Sequence, residues 1–91
     1  MFVSYGAETA KAFGREELEE ILSSLEDEKY GFVLRAKGIV PCKCGKWLHF
    51  DYVPGEGDVR VGSAAITGRL CVIGSKLDRS ALSELFGVEL K

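Results

Sequence analysis

Phe32-Val33-Leu34-Arg35-Ala36-Lys37-Gly38-Ile39-Val40-Pro41-Cys42-Lys43-Cys44-Gly45-Lys46-Trp47-Leu48-His49-Phe50-Asp51-Tyr52-Val53 is the stretch on which the fold turns. Phe32–Val40 is rich in β-branched and apolar residues and reads as a strand. Pro41-Cys42-Lys43-Cys44-Gly45 is a cluster of turn formers. Trp47–Val53 is a second strand, carrying three aromatics. The pair predicts an antiparallel hairpin and therefore a sheet that needs a covering layer.

The flanking sequence supplies that layer. After the hairpin, Pro54-Gly55-Glu56-Gly57 is the strongest turn signal in the chain. Asp58–Gly62 reads as a short alternating strand, Ser63–Gly68 as a loop, and Arg69–Ile73 as an apolar strand suited to the inside of a sheet. Before the hairpin, Leu18, Ile21, Leu22 and Leu25 recur at i, i+3, i+4 and i+7, which predicts a helix over 15–28. Glu16 and Glu17 sit in its first turn, where the helix dipole favours anions, and Gly14 precedes it as N-cap. Phe2-Val3-Ser4-Tyr5 reads as a short strand ended by Gly6, with 7–14 as a connection. At the other end Asp78 is a good N-cap, and Leu77 with Leu82 makes a hydrophobic staple. Leu82, Leu85 and Phe86 form the buried stripe, and Gly87 stops the helix.

The order β-α-β-β-β-β-α predicts an α+β fold: a two-layer sandwich, with an antiparallel-dominated sheet of four to five strands and two helices on one face. At 91 residues the expectation is one domain spanning 1–91, burying roughly 60–65% of its unfolded surface. A hydrophobic content of 46% with 29% charge excludes a disordered chain. No apolar run approaches a membrane span and no signal peptide opens the chain, so no membrane partner is expected. Three cysteines are too few for a disulfide framework, which points to the cytoplasm.

Strand alternation sorts the side chains into two faces. Leu48, Phe50 and Tyr52 fall on one face, with Phe32, Leu34, Ala36, Val40, Val59, Val61, Leu70 and Val72 expected beside them. If that face meets the helices, the other shows Arg35, Lys37, Trp47, His49, Asp51 and Arg60, together with Val33 and Ile39. It is polar, slightly basic and uncovered. Arg35, Lys37, Trp47, His49 and Arg60 are the candidate partner-binding residues. Charge is divided accordingly: residues 15–29 hold seven acids against two bases, although the whole chain has 12 Lys and Arg against 14 Asp and Glu. The overall acidity and the lack of an aromatic RNA-binding motif argue against nucleic acid.

No GxxxxGK[ST] loop, GxGxxG or GxSxG elbow is present. Cys42-Lys43-Cys44 at the hairpin tip has three readings: inert exposed thiols, a two-thiolate site for Zn²⁺ or Co²⁺ with His49 as a distant third donor, or a redox pair. A closed zinc site needs four donors, and this motif supplies two. Cys71 reads as a small hydrophobe of the core or its rim. His49 and Asp51 are close enough on one strand face to orient a general base, but no nucleophile accompanies them.

An ordered set of motifs resembles the C-terminal domain of the CobW family of GTPases. It comprises Arg35-Ala36-Lys37-Gly38 in one strand, Trp47-Leu48-His49-Phe50-Asp51 in the next, and Gly68-Arg69-Leu70-Cys71-Val72-Ile73-Gly74 leading through Ser75-Lys76-Leu77-Asp78 into a helix. The first strand and the helix opening Arg15-Glu16-Glu17-Leu18 also fit, so the resemblance spans essentially the whole chain. It implies a non-catalytic accessory domain of a GTP-dependent metallochaperone, tied to cobalamin, zinc or nitrile-hydratase maturation. The partners it implies are a GTPase domain in the same or another chain, a client metalloprotein, or a second copy. GTP and the family's CxCC metal site belong to the GTPase domain, so GTP hydrolysis is expected of the parent and not of this chain. Cys42-Lys43-Cys44 is not that CxCC, and a metal role for it would make this domain a metal-binding module in its own right.

Overall fold

The computed structural model describes residues 1–91. Five strands and two helices appear in the expected order: β1 (Val3–Thr9), α1 (Arg15–Ser24), β2 (Phe32–Pro41), β3 (Trp47–Val53), β4 (Glu56–Gly62), β5 (Gly68–Ser75) and α2 (Arg79–Phe86), with a 3₁₀ turn at Glu28–Tyr30. The sheet order is β1-β5-β2-β3-β4 and every neighbouring pair is antiparallel. β1 and β2 therefore run parallel to each other with β5 inserted between them. No helix is long and apolar enough to cross a membrane.

One continuous core lies between sheet and helices. Leu18, Ile21, Leu22 and Leu25 of the first helical segment and Leu82 and Phe86 of α2 meet Ala36, Val40, Leu48, Phe50, Tyr52, Val59, Leu70 and Val72 of the sheet. The Phe50 and Phe86 rings lie 6.3 Å apart between centroids. Gly38 makes room for them: a methyl there would come within 2.5 Å of the Phe50 ring.

Several boundaries differ from the sequence expectation for physical reasons. β1 does not stop at Gly6 but continues to Thr9, because its ladder with β5 runs unbroken from Val3–Gly74 to Thr9–Gly68; on its other side the Gly6 N–H and C=O both bond Lys91, each at 3.0 Å. α1 ends at Ser24 and not at residue 28. Glu26, Asp27 and Glu28 would place three acids at the negative end of the helix dipole. Asp27 instead accepts from the Lys29 N–H at 3.0 Å and starts the 3₁₀ turn. β4 begins at Glu56, so the turn before it is only Pro54-Gly55, with Gly55 at φ +81°. That is the left-handed value a type II turn requires at its second central residue.

The main correction concerns β2. Its pairing with β5 slips between Val33 and Arg35, leaving Leu34 as an extra residue. Such a bulge resets the alternation upstream of it. Val33 is therefore 4% exposed and in the core, whereas Phe32 is 63% exposed. The sequence expectation had these two reversed.

The caps of α2 are those expected. Asp78 accepts from the Ala81 N–H at 3.0 Å, and Gly87 closes the helix at φ +70°. Lys11 donates to the Phe86 carbonyl at 2.9 Å, placing a cation at the negative helix end. At α1, Glu17 reaches back to the Gly14 N–H at 3.0 Å. Glycine has no side chain to return the bond, so only half of a capping box is formed. Beyond α2, Leu90 folds back into the core, held by its N–H to Ser83 Oγ at 3.1 Å.

Candidate functional site

With both helices on one side, the other face of the sheet is left open. Register places its side chains in rungs. One rung runs Glu8, Arg69, Ile39, His49, Arg60 across all five strands. The next runs Gly6, Cys71, Lys37, Asp51, Asp58. Trp47 lies beyond them, half-buried, opposite Pro41 on one side and Gly62 on the other. All five candidate partner-binding residues, Arg35, Lys37, Trp47, His49 and Arg60, thus share this face, as expected. Arg35 keeps its predicted side because the bulge lies upstream of it.

Electrostatics on this face are uneven. Arg35 pairs with Asp51 at 3.2 Å, and Arg60 with Asp58 at 2.6 Å. Lys37 and Arg69 take part in none of the four ion pairs of the molecule. A shallow depression of about 460 Å³ opens between Lys37, Ile39, His49, Asp51, Arg60 and Arg69. His49 lies over Gly62, where an added methyl would enter its ring, and its Nε2 sits 2.8 Å from the Ser63 carbonyl. Asp51 is held by Arg35, so the His49–Asp51 dyad allowed by spacing does not form.

Alternation puts Val53 and Ile73 on the outward side, and both are exposed there, Ile73 directly opposite Arg35; sequence reasoning missed that Phe32 joins this apolar end of the face. Phe32 was hidden by the bulge, which depends on pairing with β5 and leaves no local signature. Arg69 was the other omission: its outward position followed from alternation, but its lack of an acidic partner required the folded sheet.

The hairpin tip is a separate feature. Cys42 and Cys44 are joined as a disulfide, with Cα atoms 5.0 Å apart. His49 does not join them, and no group of three or more His, Cys, Asp or Glu side chains is placed to hold a metal ion. Cys71 faces the open side, partly exposed, as the rim reading allowed.

A smaller depression on the helix side, between α1 and the start of β4, is acidic, with Glu19, Glu26 and Glu56 on its walls. Burial raises the pKa of Tyr52 there, and Glu26 adds to the effect.

Comparison with known proteins agrees with this architecture. The family model described as "Cobalamin synthesis protein cobW C-terminal domain" matches residues 2–89. Two solved structures share the fold. The Zn(II)-bound YjiA GTPase from E. coli superposes with a TM-score of 0.77 at 18% identity, over 94% of this chain and 29% of that one. A Zn(II)-bound triple mutant of YjiA GTPase gives a TM-score of 0.78 at the same identity and coverage. The chain spans under a third of the length of these proteins. No curated protein matches it by sequence.

Proposed function

Because the chain belongs to the cobW C-terminal domain family, we propose that it serves as the non-catalytic accessory domain of a GTP-dependent metallochaperone and docks that protein's GTPase domain through its open sheet face. GTP binding and metal insertion would reside in the partner domain. The metal would be cargo, of which zinc is one candidate, since the YjiA GTPase was captured with Zn(II).

One observation supports this reading most directly. The face has no cover within the chain, yet it presents Trp47 at one end, Phe32 at the other and Ile39 between them, with the unpaired cations Lys37 and Arg69. A face that met only water would have no need of that apolar area. Trp and Arg are the residue types enriched at interface hot spots, and Trp47 and Arg69 both stand on this face.

The test is titration calorimetry of this chain against a CobW-family GTPase domain from the same source, supplied as a separate chain. Saturable binding weakened at least about tenfold by Trp47→Ala is the expected result. Absence of binding, or binding indifferent to Trp47→Ala, would reject the docking face.

A further inference from the structure

We infer that Cys42 and Cys44 form a reversible dithiol–disulfide couple at the tip of the β2–β3 hairpin, exchanging electrons with small thiols and disulfides. The two sulfurs are already bonded, and their Cα atoms, 5.0 Å apart, lie within the range that suits a disulfide. A bridge closing so short a loop constrains the unfolded chain far less than one closing a long loop. Fold stabilisation is therefore a weak reason for it, and exchange chemistry a stronger one.

The tip is preorganised without the bridge. The Phe13 N–H donates to the Pro41 carbonyl at 2.8 Å, and the Lys43 N–H to the Phe13 carbonyl at 3.0 Å. The Cys42 N–H donates to the Lys46 carbonyl at 2.8 Å. These bonds hold the two thiols together in the reduced form.

The two cysteines also differ in a way that assigns roles. Cys44 is exposed and Cys42 is buried. The Cys44 N–H donates to Cys42 Sγ at 3.1 Å. Lys43 and Lys46 flank the pair, and Lys43 pairs with Glu17 at 3.4 Å.

Reduction then follows a defined course. The thiolate of a small thiol such as glutathione attacks Cys44 Sγ, forming a mixed disulfide. The Cys42–Cys44 bond breaks and its electron pair stays on Cys42 Sγ, where the Cys44 N–H already donates. A second small thiolate attacks the outer sulfur of the mixed disulfide. It departs as a small-molecule disulfide, and Cys44 is left as thiolate. Protons from water complete the two thiols, so two electrons have passed to the protein. Oxidation is the reverse, with the small disulfide as oxidant. A soft-metal site is the less favoured use of the same thiols, because no third donor reaches them.

The test equilibrates the chain, carrying Cys71→Ser, in mixtures of reduced and oxidised glutathione, then alkylates free thiols and counts them by mass. The expected result is loss of two alkylation sites together at one midpoint, tracked by fluorescence of Trp47, the only tryptophan in the chain. Cys42→Ser should accumulate one glutathione adduct on Cys44, whereas Cys44→Ser should alkylate about tenfold more slowly. Two thiols that remain free in every mixture would overturn the inference. So would oxidation only to intermolecular dimers. The mixture series with Cys42 and Cys44 both present decides the matter even if neither single variant folds.

Discussion

Two adjacent rungs of the sheet behave differently. On one, Leu70, Phe50 and Val59 are all buried, and Gly38 makes room for the Phe50 ring. On the next, one residue along each strand, Arg69 and Arg60 stand in solvent while Ile39 and His49 are only half covered. The backbone ladder is the same. The inner rung is fixed by volume, since each side chain has neighbours that would leave a cavity or a clash. The outer rung is held only by surface contacts, Arg60 to Asp58 and His49 to Ser63, and Arg69 has no ion-pair partner. Its side chains are therefore free to answer to something outside it, and substitutions should separate the two rungs by what they damage.

The largest effect is expected inside. Phe50→Ala removes a ring packed against Phe86 and should cost about 3–5 kcal/mol in denaturant unfolding. A cost below about 1 kcal/mol would mean the core can collapse around the gap. Gly38→Ala tests the same rung in the opposite sense, by overfilling it. It should cost about 1–3 kcal/mol and lower the melting temperature, because the new methyl meets the Phe50 ring and the Arg69 carbonyl.

A smaller effect is expected at the start of α1. The Gly14 N–H donates to the Glu17 carboxylate and holds its pKa below the ordinary value, partly offset by burial and reinforced by Lys43. A lowered folded pKa means that this contribution is present above the unfolded pKa and is lost as pH falls through the folded one. Glu17→Gln should therefore cost about 0.5 kcal/mol near neutrality, with solvent screening keeping it small. Stability measured from pH 6 downward should show the variant losing less than the native chain. Parallel curves would remove Glu17 from the account.

The smallest effect sharpens the comparison most. Lys37→Gln with Arg69→Gln breaks no ion pair, sets no like charge opposite Asp51 or Glu8, and should leave unfolding free energy within about 0.5 kcal/mol. The same pair of changes should alter binding of a GTPase domain and its salt dependence. A large stability loss would mean that the outer rung supports the fold after all.

What could be read from the sequence divides along the line between local and distant causes. Asp78 and Gly87 bound α2 because capping chemistry is carried by the residues themselves. Trp47–Val53 matched residue for residue because three buried side chains alternate with outward ones on one strand. The insertion of β5 between β1 and β2, and the bulge at Leu34, depend on strands far apart in sequence. The same holds for the candidate sites. Arg35, Lys37, Trp47, His49 and Arg60 were assigned a common face by alternation alone. That Asp51 would turn to Arg35, leaving His49 to Ser63, needed the diagonal neighbours of a folded sheet.

Both sheet margins are partly occupied by the chain itself. Lys91 pairs with Gly6 along β1, and the Arg15 guanidinium donates to the Val59 carbonyl of β4 at 3.0 Å. A free strand margin would recruit other chains through main-chain groups, which all sequences share. With both margins partly closed, adhesion by strand addition is discouraged, which leaves the side chains of the broad face to carry the docking proposed above. That makes partner choice heritable by point mutation: a lineage could retarget this domain by changing one or two outward residues while the interior stayed as it is.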